Sequence, residues 1–287
     1  MVQIRLRTRI SASELEKKVG KIVTEGDYNL RLTGEAEVFK PNGDLLCIYL
    51  PKAIPEDMAE ASYKILSPIR IDTRNRGKAS GGDRVRRSES QTYAKVVQSA
   101  ILGAFEPAGG RFRACRLTAW TGKNNEQFRE IFPLFQHVAA LFKERVPDRF
   151  EAQQGFADRT HSDWMIPGTP FTTITVNNTY ATGVHTDKGD LDEGFSCLCV
   201  FKRGKLSGGH LTFPEYRVAV DLQDRDLILM DAHSWHGNTE LIKESDDAER
   251  ISVVHYYRTE IKACESSMAE NAKMVETGDF DDDLLPS

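Results

Sequence analysis

The sequence has no stretch approaching the roughly eighteen consecutive apolar residues of a membrane-spanning helix. Its first ten residues, MVQIRLRTRI, contain no apolar leader core. The chain is therefore expected in the cytoplasm or nucleus, neither secreted nor in a membrane. Cysteine is sparse: Cys47, Cys115, Cys197, Cys199 and Cys264 are odd in number and form no CxxC pair. That argues against a disulfide framework and against a structural zinc site. Cys197 and Cys199 alternate on an expected strand, as small buried apolar residues do. Internal repeats and domain-separating linkers are also missing. With 287 residues, 40% of them hydrophobic, one large core is expected in one domain, as a monomer.

No large excess of either charge is present. The net charge of −5 sits in the tail, where Glu276, Asp279, Asp281, Asp282 and Asp283 have no cation among them, and the rest of the chain is neutral. Against that background, Arg70 to Arg87 gathers seven cations (Arg70, Arg74, Arg76, Lys78, Arg84, Arg86 and Arg87) with two acids, Asp72 and Asp83. The glycine-rich part of this cluster, TRNRGKASGG from Thr73 to Gly82, suits neither a stable helix nor a central strand. It reads equally as a solvated linker or as a loop that covers the substrate or contacts phosphates, with Arg74 and Arg76 as its substrate-binding residues.

Taken in order, Ser11-Ala12-Ser13-Glu14 is a capping box that starts a short helix. EAEVFK and LLCIYL, joined by Pro41-Asn42-Gly43-Asp44, predict a hairpin. Pro55 starts a helix with an apolar stripe at Met58, Ala61, Ile65 and Leu66. The stretch Gln91 to Phe105 reads as helical, and FRACRLTAW as a strand with Phe112, Ala114, Arg116 and Thr118 on one face. Phe128, Ile131, Phe132, Phe135, Val138, Phe142 and Val146 recur at helical spacing, with Pro133 in the first turn, and form a helix backing a sheet. After His161 come FTTITVN, FSCLCVF, HLTFPEY, RVAVDL, DLILMD and RISVVHYYR. Helices gathered early and short antiparallel strands late predict an α+β fold with a double-stranded β-helix, or jelly-roll, core. Residues 1–160 form the supporting portion, 161–262 the core, and 263–287 an acidic tail.

The chemistry centres on FTTITVNNTYATGVHTDKGD. His185 and Asp187, two residues apart in a β-rich run, share one strand face and converge on one cation. A third ligand is expected from His236, which ends DLILMDAHSWH where Gly237-Asn238 closes a strand. His233 is the rival. His137, His161, His210 and His255 read as structural. Two histidines and one carboxylate on one face of Fe(II) leave the other face open for a cosubstrate and O2. Arg250 begins the next strand-like run, and its guanidinium can fork onto the far carboxylate of 2-oxoglutarate.

These runs, together with SGGHLTFPEYRVAVDLQDRDLILMDAHSWHGNT, resemble the TET/JBP family of Fe(II)/2-oxoglutarate oxygenases, which oxidise the 5-methyl group of pyrimidines in nucleic acids. The resemblance covers Phe171 to Arg258, with a weaker echo at TRNRGKASGG and RLTAWTG. It is to the compact phage, protist and algal members, without the cysteine-rich zinc region of the animal proteins. It implies His185, Asp187 and His236 on iron, and Arg250 with Ser252 on 2-oxoglutarate. Asn177 and Tyr180 either reach the cosubstrate or are structural. Asp190 completes HxDxxD where the family pattern has an asparagine that reads the flipped base. An ionised aspartate accepts from the amine of cytosine, whereas thymine O4 requires the protonated form, so 5-methylcytosine is the expected base. Tyr256 and Arg258 fall where the family stacks on and contacts the base. The implied reaction is hydroxylation of a flipped-out base in DNA. The alternatives are ascorbate as cosubstrate, thymine as substrate, hydroxylation of something other than nucleic acid, and a binding protein that keeps an inactive barrel.

Overall fold

The computed structural model describes residues 1–74, 76–80, 85–88, 91–93, 95–107 and 113–277, without the side chains of 78, 85–88 and 91–93. Its centre is a ten-stranded sheet. In spatial order the strands are Val2–Arg5, Ala36–Phe39, Leu45–Leu50, Leu227–Met230, Ser196–Arg203, Glu249–Tyr256, Thr173–Asn178, Val97–Phe105 and Asp72–Thr73, with Arg116–Leu117 pairing onto Val97–Phe105. A four-stranded sheet contains Gly237–Asn238, Leu211–Phe213, Val218–Val220 and Leu30–Leu32. Phe213, Val218 and Val220 of the smaller sheet share a buried cluster with Tyr49, Val200 and Ile228 of the larger. The expected α+β double-stranded β-helix is therefore present, and N-terminal strands extend both of its sheets.

The other face of the large sheet is covered by helices. Ile174, Val176, Ile251 and Val253, alternate residues on adjacent antiparallel strands, pack with Leu134, Phe135, Val138 and Phe142 of the helix Phe132–Arg145. Side-chain alternation along the same strands sends Thr175, Asn177, Arg250 and Ser252 the opposite way, into the space between the sheets. The aromatic stripe thus anchors the sheet, and each fully buried ring contributes about 1.5–3 kcal/mol of transfer free energy.

Several local expectations hold. Ser11 caps Ala12–Glu16 through a reciprocal box with Glu14, and Ala36–Phe39 pairs antiparallel with Leu45–Leu50. Glu56–Leu66 is helical, and Pro133 lies in the first turn of Phe132–Arg145.

Three expectations are corrected. The end of the Gln91–Phe105 stretch is a strand, Val97–Phe105, paired with Thr173–Asn178. Its small and apolar residues satisfy either period, and the neighbouring strand decides between them. FRACRLTAW forms a strand only at Arg116–Leu117 before the helix Ala119–Lys123, and Phe112 lies outside the described residues. Cys115 and Cys264, 149 residues apart in sequence, form a disulfide with Cα atoms 5.9 Å apart, while Cys47, Cys197 and Cys199 are free and buried. A single long-range bridge has no local spacing signature. The last described element is the helix Ser267–Thr277, and Asp279, Asp281, Asp282 and Asp283 lie outside the described residues. Among the described residues no helix is long and apolar enough to cross a membrane.

Candidate active site

The inward-facing residues line a cavity of about 810 Å³ between the sheets. His185, Asp187 and His236 meet at its wall, with their nearest ligand atoms all within 4.8 Å of one another. His185 Nε2 lies 3.5 Å from Asp187 Oδ1, and His236 Nε2 lies 3.6 Å from Asp187 Oδ2. Ligands bound at 2.0–2.2 Å on one octahedral face stand about 3 Å apart, so a cation would draw these atoms in by a few tenths of an ångström.

The segment that supplies the pair is not a regular strand. His185 forms an isolated antiparallel bridge with His236, with N–H to carbonyl distances of 2.8 and 2.9 Å in the two directions. Asp187 follows on an extended turn and donates its N–H to Ala232 O at 3.1 Å. The backbone bridge, rather than one strand face, sets the two imidazoles side by side, with ring centroids 4.3 Å apart. His236 likewise precedes the short strand Gly237–Asn238 instead of ending one. Gly183 admits this arrangement, because a Cβ there would lie 2.5 Å from the Gly20 backbone.

Both rings are locked in one tautomer. His185 Nδ1 lies 2.7 Å from Gly183 O and His236 Nδ1 lies 2.9 Å from Ser234 O. Each Nδ1–H is a donor to its carbonyl, so each Nε2 lone pair is directed at the shared point. Burial, followed by repulsion from His185, lowers His236 to about 4, so its ring is neutral at physiological pH. The rival His233 points elsewhere, to Asp192 at 3.0 Å and Asp231 at 3.4 Å. None of the other histidines joins the trio: His137 meets Ala53 O, His161 caps a turn, His210 faces Asp221, and His255 meets Cys197 O.

Arg250 and Ser252, each 4% exposed, lie on the wall formed by Glu249–Tyr256. Arg250 Nε is buried without a hydrogen-bond partner among the described residues, and no carboxylate pairs with the guanidinium. Burial alone lowers Arg250 to about 10. A buried cation with an unmet donor, opening on a cavity beside a metal-type trio, fits the distal carboxylate of a 2-oxo diacid. Asn177, in register with Ser252, accepts from Ser99 Oγ at 2.6 Å, and Ser99 accepts from Arg76 Nε at 2.7 Å. Arg76 Nη2 is a second buried donor without a hydrogen-bond partner among the described residues. Tyr180 lines the same cavity and is raised by burial.

The basic cluster is divided. Arg70 pairs with Glu249, Arg74 is exposed, and Arg76 turns inward. Arg84 lies outside the described residues, and the structure describes no side chain for Lys78, Arg86 or Arg87.

Asp190, 9% exposed, accepts from Ser196 Oγ at 2.6 Å, and burial followed by the charge of Asp187 raises it to about 7. Tyr256 is buried, with its hydroxyl 3.0 Å from Thr175 Oγ1. Arg258 is not a free cation: both Nε and Nη2 donate to Glu106, and although burial lowers it, the pairing with Glu106, with Tyr256 adding to it, raises it overall. Glu106, Ser99 and Ser196 escape the sequence reading. Alternation along FSCLCVF gives a route to Ser196, but reading Gln91–Phe105 as helix hides Ser99 and Glu106.

A larger open groove of about 1370 Å³ adjoins the cavity at Tyr180. It is lined by none of His185, Asp187, His236 or Arg250, so the smaller cavity is the candidate active site.

A family model, Tet_JBP, described as the oxygenase domain of the 2OGFeDO superfamily, matches residues 106–259. The chain belongs to this family. That superfamily implies Fe(II), 2-oxoglutarate and O2, and the His-Asp-His trio lies within the match. The chain is 31% identical over 248 residues to "Thymine dioxygenase JBP1" of Leishmania braziliensis, covering 85% of this chain and 28% of that protein. It is 33% identical over 229 residues to "Thymine dioxygenase JBP1-B" of Trypanosoma cruzi (strain CL Brener), covering 78% and 26%. The chain thus spans about a quarter of the length of these curated relatives. Among solved structures its fold is similar to NgTET1 in complex with 5mC DNA, with a TM-score of 0.61, 14% identity, and coverage of 93% of this chain and 100% of that one.

Proposed function

We propose that the chain is one Fe(II)- and 2-oxoglutarate-dependent oxygenase domain that hydroxylates the 5-methyl group of a pyrimidine base in DNA. The observation that carries this reading is the trio of His185, Asp187 and His236, tautomerically locked in the same cavity as the buried guanidinium of Arg250, whose Nε has no hydrogen-bond partner among the described residues. In this reading the trio holds Fe(II), while Arg250 with Ser252 binds the distal carboxylate of 2-oxoglutarate. Asn177 and Tyr180 flank that subsite, and Arg76 offers a second cation to its anionic end. The unpaired guanidinium favours a dicarboxylate over ascorbate. Bound iron would supply the oxidative decarboxylation of 2-oxoglutarate by O2, giving succinate and CO2, with one oxygen atom passing to the methyl carbon.

A methyl group stacked within a duplex cannot reach the cavity, so the base must leave the stack, at a cost of a few kcal/mol offset by contacts in the pocket. Tyr256 offers a ring for stacking and Asp190 a polar edge contact, while the exposed Arg74 is free to meet phosphate. An ionised Asp190 suits 5-methylcytosine. Two observations favour thymine: burial raises Asp190 to about 7, towards the protonated form that donates to O4, and the curated relatives carry the name thymine dioxygenase. The test is anaerobic reconstitution with Fe(II) and 2-oxoglutarate, then air, on oligonucleotides containing thymine or 5-methylcytosine. Mass spectrometry of the nucleosides should find a hydroxymethyl base. Succinate formed with no oxidised base in either oligonucleotide would move the substrate outside DNA.

A further inference from the structure

Just beyond the far end of the strand Glu249–Tyr256, which carries Arg250 near its start, the cavity wall holds a built arrangement around Arg258. Its Nε and Nη2 donate to the two carboxylate oxygens of Glu106, which follows the strand Val97–Phe105. The ring of Phe105 lies beneath the guanidinium, 4.5 Å from centroid to Cζ. Gly189 also packs close to it, and a Cβ there would come within 3.2 Å of Nη2. The backbone binds the same parts together. Asp190 bridges to Arg258, Thr259 N donates to Gly189 O at 3.0 Å, and Thr259 Oγ1 donates to Asp190 O at 3.0 Å. The Arg258 and Glu106 side chains are only 19% and 12% exposed, so water screens their pairing weakly.

We propose that Glu106 is a positioning residue for base recognition. It fixes Arg258 so that Nη1, the guanidinium nitrogen it does not engage, meets an acceptor on the edge of the pyrimidine held beside Asp190 and Tyr256. This inference rests on the proposed pyrimidine oxygenase function. A guanidinium only donates, so it must face a ring nitrogen lone pair or a carbonyl oxygen of the base. Without Glu106, Arg258 would have to give up several freely rotating bonds each time a base enters. Its charge would also lose the carboxylate that holds it in place. The base would then bind out of line with the metal-type trio, and cosubstrate would be consumed without hydroxylating DNA.

The experiment uses the full chain with Fe(II), 2-oxoglutarate and an oligonucleotide containing both thymine and 5-methylcytosine, comparing wild type with Glu106→Gln. Oxidised base formed per succinate should fall, and KM for the oligonucleotide should rise, each about tenfold, the scale of one charge-assisted hydrogen bond. KM for 2-oxoglutarate should hold. Glu106→Asp, which keeps the charge, should recover part of the loss. In Arg258→Gln the added Glu106→Gln should cost nothing more, because the two side chains act through one contact. Wild-type coupling and KM in Glu106→Gln would overturn the proposal, as would additive losses in the double variant. An equal loss of 2-oxoglutarate affinity would make Glu106 part of the general scaffold instead. A wild type that binds 2-oxoglutarate but oxidises no pyrimidine would remove the underlying reading, and the inference with it.

Discussion

Replacing Arg250 with methionine, of similar length but uncharged, separates the two roles that a buried guanidinium plays here. In the ligand-free protein Arg250 is a liability. Burial lowers it to about 10, well below the ordinary range of a guanidinium. That difference corresponds to about 3 kcal/mol of folding free energy lost at neutral pH. The sign follows from protonation: a base whose folded-state pKa is depressed destabilises the fold wherever it is charged in both states, here below about pH 10. Arg250→Met should therefore leave the ligand-free protein as stable as wild type or more so. Full recovery of that free energy would raise Tm by about 6–12 °C, since a chain of this size gains roughly 2–4 °C per kcal/mol. With 2-oxoglutarate present the order reverses. The variant loses a charge-assisted pair to a carboxylate, about 2–4 kcal/mol, and its affinity for 2-oxoglutarate should fall roughly 30- to 1000-fold. Differential scanning fluorimetry across a 2-oxoglutarate titration reads both effects. A variant that is several degrees less stable without ligand would mean that Arg250 has a protein partner. One that keeps the wild-type ligand-induced shift would remove Arg250 from the cosubstrate site.

The remaining predictions concern the trio and the fold. His236→Ala should weaken Fe(II) or Mn(II) binding more than about hundredfold in equilibrium dialysis, whereas His233→Ala should leave it unchanged; the reverse would reinstate His233 as the third ligand. His255 is lowered to about 4 by burial, so the unfolded chain takes up its proton first as pH falls through 6.5. His255 alone should remove about 2 kcal/mol of stability between pH 7 and pH 5, beside a similar share from His236, and His255→Leu should reduce the slope by that amount in urea titrations; an unchanged slope would assign the loss to other groups. Phe135→Ala, emptying the centre of the helix–sheet contact, should cost about 3–5 kcal/mol by urea unfolding, and a cost under 1 kcal/mol would mean that the site collapses around it.

The parts of this protein that were legible in the sequence are those whose cause is local or ordered along the chain. His185, Asp187, His236 and Arg250 stand out because a facial ligand set needs these residue types, and their order survives in one dimension. The capping box at Ser11 and the hairpin turn at Pro41 to Asp44 are short-range signals. The residues that escaped are placed by tertiary partners. Val97–Phe105 is a strand because Thr173–Asn178 offers it an edge. With that strand read as helix, Ser99 and Glu106 had no face to be assigned to. Arg76 looks in sequence like one more surface cation, and only the fold turns it towards Ser99. His185 and His236 are adjacent through a two-residue backbone bridge, which no periodicity announces. The disulfide Cys115–Cys264 joins segments 149 residues apart, beyond the reach of any spacing rule.

The most direct test of the central claim is isotopic. With Fe(II), 2-oxoglutarate and 18O2, on DNA containing thymine and 5-methylcytosine, one 18O atom should appear in the hydroxymethyl group of a recovered pyrimidine nucleoside and another in succinate. Recovery of fully labelled succinate alongside unmodified thymidine and 5-methyldeoxycytidine would contradict it.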